Sequence, residues 1–579
     1  MHSTPTDQQP KRRRSTKRIL LILGLFIGMF AAGAATFLWQ QLAPNRTKVE
    51  PEYHELSKPV FYQGNYYKTS AIGDKEGLKL PLELIQEWMD PSIIYEKSSD
   101  SVIITTKDKV LRLKTTELSA LMNEKPITLS FPVEKKGNDI IYVPIEPLRQ
   151  LYPFEIRESE KSGAILLFKK GDLVKWGKHV GTEDAKVRTF ASIKAPIVST
   201  IANNEQVVIL AVEGEWYRVQ QQSGPVGYVR KADILEDHDE TIPAQEQASA
   251  YVPWKPLNGK LNLTWEHVIT KNPDTSKLGD MPGLHVVSPT WFSLADGEGR
   301  IKNLADASYV KWAQTRNYQV WALFSNGFEP DRTSQALSTY DRRMKMIKQL
   351  LGFAQTYNLQ GINIDFENVN LKDKENLVQF VRELTPFMHE QGLAVSIDVT
   401  PKSTNEMWSM FYDRPALAEV VDYMMLMAYD EYWASSPKSG SVSSLPWTER
   451  SVTQLLGSEK VPPSKLVLGV PFYTRQWTEE TKNGKTTVTS KTLTMEAAQT
   501  IIKDKKLTPT FLEETGQNYV EYKEGEKLIR IWLEDETSIK ARLELVKKYD
   551  LAGVASWRRG FEQPAVWKVI QDTLQQTKQ

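Results

Sequence analysis

The chain contains no cysteine. This excludes disulfides, thiolate nucleophiles, cysteine zinc sites and lipid attachment through sulfur. Histidine is scarce, seven in 579 residues, and none falls in an HxxxH or HExxH spacing. No metal site and no cofactor is therefore expected. Charge of one sign is also lacking: 73 Lys and Arg against 72 Asp and Glu leave a net +1. That balance gives no electrostatic footprint for a nucleic-acid partner. Aromatic residues make up 10% of the chain, with 16 Trp, which suits stacking on sugars as well as ordinary cores.

One uncharged run, Ile19 to Trp39, follows Lys11, Arg12, Arg13, Arg14, Lys17 and Arg18. As a helix it would extend ~30 Å, about one bilayer core. The basic cluster before it predicts a cytoplasmic tail (1–18), a transmembrane helix (19–39) and everything else outside. The expected location is the bacterial cell membrane, single-pass. A cleaved signal peptide is the alternative, because "AAGAA" places small residues near the end of the run.

Residues 40–56 are polar and read as a tether. Two stretches then echo one another, "LKLPLELIQEWMDPSIIYEKSSDSVIITT" from Leu78 and "IYVPIEPLRQLYPFEIRESEKSGAILLFK" from Ile141. Each reads strand, Pro, short helix, strand, turn, strand, with Pro81 and Pro144 suited to a first helical turn. Residues 57–175 resemble the duplicated copper amine oxidase N-terminal-like domain. The region contains no His, so copper is not implied, and a packing or spacer role competes with ligand binding. Residues 185–236 are short alternating stretches with turns at Glu213-Gly214 and Ser223-Gly224. Through "VRTFAS", "GEWYRV" and "GYV" they resemble bacterial SH3-type domains, which implies cell-wall peptide as a partner. The alternative is a small barrel whose Trp216, Tyr217 and Tyr228 are only core. Residues 237–253 read as a linker.

From 254 to 579, eight apolar runs recur: "LNLTWEHV", "LHVVSPTWF", "YQVWALFSN", "LQGINIDFE", "LAVSIDVTP", "VDYMMLMAYD", "KLVLGVPFY" and "LAGVASWRRG". Helical stripes lie between several, such as Leu377, Phe380, Val381, Leu384 and Met388, with Gly392 as a stop. Alternation of this kind predicts a parallel sheet, and eight units predict an α/β (β/α)8 TIM barrel. The fold class is thus multidomain, with a small α+β insertion after the seventh strand, from about 476 to 550. In "GINIDFENVN", Asn363, Asp365 and Glu367 alternate with Ile362, Ile364 and Phe366 and so share one face of a strand. Polar residues gather at the carboxyl ends of the strands, where such barrels carry their sites.

"QGINIDFE", "MAYDEY" and "GVASWRRG" together resemble the strand-four, strand-six and strand-eight motifs of glycoside hydrolase family 18, the chitinase-like barrels. With the attached modules, the chain is most similar to bacterial cell-wall and spore-cortex members. The resemblance implies hydrolysis of β-linked N-acetylglucosamine in peptidoglycan or chitin, with the substrate's own acetamido oxygen as nucleophile. It implies Glu367 as acid, Asp365 as its assistant and Tyr429 as a donor to the acetamido oxygen. Asp430, Trp557, Asn363, Tyr473, Trp291 and Asp398 are expected on the substrate side, and Arg475 and Trp477 along the cleft. Gln360 and Asn363 depart from the signature DGxDxDxE, which leaves fewer buried charges below Asp365. Two alternatives stay open: an inactive chitinase-like binding or structural wall protein, and a two-carboxylate glycosidase using Glu367 with Asp398 or Asp430.

Overall fold

The computed structural model describes residues 15–137, 139–243, 251–256 and 259–575. The chain forms two compact units, Met1–Pro91 with Val133–Glu246, and Ser92–Pro132 with Gln247–Gln579. The expected 57–175 domain therefore contributes segments to both.

In the first unit a helix runs from Ser15 to Leu42. Its segment Ile19–Leu42 is long and apolar enough to cross a membrane, with mean hydropathy 2.3. Most of the basic tail, residues 1–14, lies outside the described residues. The expected tether is not free chain: Asn45 donates to the Lys194 carbonyl (2.9 Å), and Val49 N–H to that of Ile197 (2.9 Å). The two echoed stretches fold alike. Lys79–Pro81 leads into helix Leu82–Trp88, and Ile140–Pro144 into helix Ile145–Leu151. The two leading strands pair antiparallel, Val143 opposite Leu80. Pro81 and Pro144 stand at the N-caps, one residue earlier than the first turn, in extended conformation with φ −57° and −63°.

A seven-stranded antiparallel sheet occupies Leu173–Thr241. Gly214 and Gly224 take positive φ (55° and 113°), as the expected turns require. Tyr217 is buried in this sheet's core, while Trp216 and Tyr228 stay half-exposed. The last strand, Ile234–Thr241, runs into the expected linker, of which 244–250 lie outside the described residues.

The second unit is built on a closed parallel barrel. Its strands are β1 (Leu261–Glu266), β2 (Val286–Pro289), β3 (Gln319–Ser325), β4 (Gly361–Asp365), β5 (Ala394–Val399), β6 (Tyr423–Met427), β7 (Leu466–Pro471) and β8 (Gly553–Trp557). Each pairs in parallel with the next, and β8 returns to β1. All eight predicted runs thus become barrel strands. Buried residues such as Ile362, Ile364, Val395 and Ile397 pack outward against the helices. Inward residues Leu263, Trp265, Trp321, Leu323, Met425 and Ala555 fill the barrel. Gly361 is required at the floor, because a Cβ there would lie 2.7 Å from the Trp321 ring.

The insertion after β7 is a five-stranded antiparallel sheet with helix Met495–Asp504, followed by helix Glu536–Lys548. A second sheet, from Ile94 to Thr128, belongs to the same unit and docks on the barrel's helices. Arg343, 1% exposed, grips Glu383 through Nε and Nη2 (both 2.8 Å) and reaches Glu96 of that sheet at 3.3 Å. Tyr340 OH donates to Glu124 at 2.7 Å.

Candidate active site

The site is set by the alternation in β4. Asn363 and Asp365 point inward, and the chain leaves the sheet at Phe366 and Glu367. Asn326, just past β3, holds this exit. Its Nδ2 donates to the Glu367 carbonyl (2.7 Å), and its Oδ1 accepts from the Glu367 N–H (3.1 Å). Tyr412 OH donates to the Phe366 carbonyl at 2.8 Å. Both backbone groups flanking the Glu367 side chain are therefore fixed. The sequence reading missed Asn326 and Tyr412. An amide ending the β3 run was the available signal for the first, and nothing local marks the second.

Asn363 was expected beside substrate and is instead 0% exposed. Its Oδ1 accepts from Trp265 Nε1 (2.9 Å) and Ser288 Oγ (3.3 Å), and its Nδ2 donates to Ser396 Oγ (3.0 Å) and Asp398 Oδ1 (2.8 Å). Four bonds to β1, β2 and β5 saturate the amide, so Asn363 ties the barrel interior together. Asp398 is also withdrawn, at 1% exposed. Trp291 is a core residue: its ring packs edge-on against Tyr309 and its Nε1 donates to Asn272 (2.6 Å). Trp477 is likewise buried and donates to the Gly440 carbonyl at 2.8 Å. Strand-end tryptophans and amides are too apolar or too easily saturated inside a barrel for sequence position alone to place them at the cleft.

The remaining residues converge. Asp430 is 46% exposed, accepts from Tyr473 OH (2.6 Å) and Arg475 Nη2 (2.9 Å), and has φ 59°. Tyr473 is itself buried, so it acts on the cleft through Asp430. Tyr429 is half-buried and meets the Tyr473 ring edge-on, 6.4 Å between centroids. Trp557 is half-buried at the end of β8, 6.0 Å from the Trp265 ring. The backbone after it is anchored by Arg559, whose guanidinium forks onto Glu266 at the end of β1 (Nη2–Oε1 2.8 Å).

Burial dominates the electrostatics. Asp365, 8% exposed, is pushed up to about 7 by desolvation. Its Oδ1 is buried and has no hydrogen-bond partner. Desolvation, then the charges of Asp365 and Asp430, hold Glu367 well above the usual carboxylate range. Asp398 is raised by burial and then by Asp365. Tyr429 is raised by burial and so keeps its proton. A carboxyl that remains protonated near neutral pH can donate a proton. Glu367 is raised in this way and half-buried, with the carboxyls of Asp365 and Asp430 and the phenol of Tyr429 near it.

Carboxyls raised by burial at the carboxyl-end mouth of a parallel barrel define a candidate acid–base site. Residues 191–562 match the model of Glycosyl hydrolases family 18, and residues 62–167 that of the Copper amine oxidase N-terminal domain. The first match spans more than half of the chain, which therefore belongs to glycosyl hydrolase family 18. It is 27% identical over 286 residues to the uncharacterized glycosylase YvbX of Bacillus subtilis (strain 168), covering 47% of this chain and 80% of that protein. It is 27% identical over 241 residues to the Cortical fragment-lytic enzyme of the same organism, covering 41% of this chain and 54% of that protein. The spore cortex-lytic enzyme SleL of Bacillus megaterium QM B1551 superposes with a TM-score of 0.49 at 20% identity, covering 64% of this chain and 89% of that one.

Proposed function

We propose that this hydrolase cleaves β-linked N-acetylglucosamine polymers of the cell wall or spore cortex, or chitin, by substrate-assisted retaining catalysis. The observation that carries this reading is the contrast between two carboxyls. Burial raises both, but Glu367 is only half-buried, whereas Asp398 is 1% exposed and bonded to Asn363. An enzyme nucleophile must reach the anomeric carbon; Asp398 is buried away from solvent, and Asp430 is engaged by Tyr473 and Arg475. The acetamido oxygen of the substrate fills that role.

In this mechanism Glu367 gives its proton to the glycosidic oxygen as the bond to C1 breaks. The acetamido oxygen bonds to C1 from the opposite face. Asp365 accepts from the acetamido N–H and orients it, and Tyr429 donates to its oxygen. Water then attacks C1, Glu367 recovers a proton from it, and the oxygen–C1 bond to the acetamido group breaks. Two inversions at C1 give net retention. Trp557 forms the floor beneath the sugar, and Asp430, fixed by Tyr473 and Arg475, holds its hydroxyls.

We also infer a single-pass anchor with the barrel outside the cell, supported by the apolar span Ile19–Leu42 behind the basic tail. The 185–236 region is assigned to wall-peptide binding, supported by its half-exposed Trp216 and Tyr228. The domain plan proposed is a membrane helix within Ser15–Leu42, a wall-binding 185–236 module, and a hydrolase from 254 whose unit also takes in Ser92–Pro132. The test of the function is digestion of peptidoglycan, cortex glycan and chitin oligosaccharides by the full chain in detergent. New N-acetylglucosamine reducing ends, seen by mass spectrometry and absent with Glu367→Gln, are the expected result. Release of other reducing ends, or none, refutes the reading.

A further inference from the structure

The departure at Asn363 has a structural counterpart on the neighbouring strand. In the register of β4 and β5, Asn363 lies opposite Ser396 and Ile364 opposite Ile397. Continued by one residue, this places Asp365 beside Asp398. Both alternate inward with Asn363 and Ser396, so two carboxyls enter the barrel from adjacent strands at one level. The Asn363 amide bonds Asp398 Oδ1 at 2.8 Å and fixes its carboxyl. Asp365 Oδ1 is buried and receives no hydrogen bond. A buried carboxylate oxygen without a donor is costly, and two like charges at such a site disfavour each other's ionisation.

We propose that Asp398 is a positioning acid that shares one proton with Asp365, so that β5 supplies the second buried carboxyl that Asn363 removes from β4. The inference rests on the substrate-assisted reading above. When Glu367 gives up its proton, its new charge would face a bare Asp365 carboxylate. A shared proton lets Asp365 turn a protonated face to Glu367 instead, and the negative charge of the pair moves toward Asp398. No atom leaves the cluster in this step; one proton changes its position between two oxygens. Glu367, Tyr412 and Tyr429 are the other titratable groups facing the pair. Asn363 and Trp265 lie against Asp398, Arg414 lies behind Tyr412, and Asp430 with Arg475 is the next charged pair outward. Burial and mutual repulsion raise both members of the pair, as sharing requires.

The test compares kcat against pH for the full chain in detergent in four forms: wild type, Asp398→Asn, the transposed Asn363→Asp/Asp398→Asn, and Glu367→Gln. Asp398→Asn removes the shared acid and a like charge, so the alkaline limb should move to lower pH. kcat near neutrality should fall about tenfold, short of the about 100- to 10,000-fold loss expected when the acid itself is removed. The transposed variant exchanges acid and amide, keeps their hydrogen bond and restores the pair. Its limb should return toward wild type. An unmoved limb in Asp398→Asn overturns the proposal and leaves Asp398 a structural residue. Should Asp398→Asn fail to fold, the transposed variant decides: a wild-type limb supports sharing, and a displaced one refutes it. Glu367→Gln separates the two ideas. If it keeps wild-type turnover, the substrate-assisted reading itself falls, whatever Asp398 does.

Discussion

Replacing Asp365 by Asn should change how the stability of the barrel depends on pH. The ordinary aspartate value is 3.8, and burial raises Asp365 to about 7. The folded chain therefore holds a proton that the unfolded chain releases between those values. The stabilisation linked to that proton is fully present below about pH 4 and is lost as pH rises through about 7. The displacement from 3.8 to about 7 corresponds to about 4 kcal/mol. Asn carries no charge at either end, so the variant lacks this slope. It also removes the repulsion that helps raise Glu367 and Asp398, which flattens the profile further. The assay is calorimetry of the full chain in detergent from pH 4 to 7.5, following the barrel transition. Taking the difference between variant and wild type cancels the titration of the other modules. Relative to wild type, Asp365→Asn should gain about 4 kcal/mol across this interval, several degrees in Tm. Parallel Tm profiles would refute the reasoning, because they would mean that Asp365 ionises as freely folded as unfolded.

Glu367→Gln should lower turnover by about 100- to 10,000-fold with substrate binding retained, measured by kinetics and by calorimetric titration of an oligosaccharide. An oligosaccharide bearing hydroxyl in place of acetamido should be essentially inert, and its efficient cleavage would favour an enzyme nucleophile. Glu383→Ala strips Arg343 of its two-point partner in a buried setting and should cost about 3–5 kcal/mol, read from denaturant midpoints. Gly361→Ala drives a Cβ to 2.7 Å from the Trp321 ring and should cost about 1–3 kcal/mol; unchanged stability would mean that Trp321 moves freely. Protease added to intact protoplasts should remove the barrel and leave a short membrane fragment, whereas a soluble mature form starting near Thr36 would argue for cleavage.

Local pattern was enough to specify the eight barrel strands, the echoed strand-helix pattern and the common face of the two carboxyls in "GINIDFENVN". Each is written in local periodicity: alternation for strands, a 3.6-residue stripe for helices, and charge placed at a strand end. The shared face of Asn363, Asp365 and Glu367 follows from strand geometry alone. What those side chains touch did not follow. Asn363 is saturated by Trp265, Ser288, Ser396 and Asp398, residues 33 to 98 positions away in the chain. Trp291 stands at a strand end like Trp557, yet Trp291 is buried against Tyr309 and bonded to Asn272, while Trp557 stays half-buried. The Ile94–Thr128 sheet joins the barrel unit through contacts that span more than 200 residues, among them Arg343 to Glu96, Tyr340 to Glu124 and Arg112 to Asp341. Local pattern fixes which face of an element is apolar. Which groups then lose water, and so which carboxyls keep their protons, is decided only when distant strands close around them.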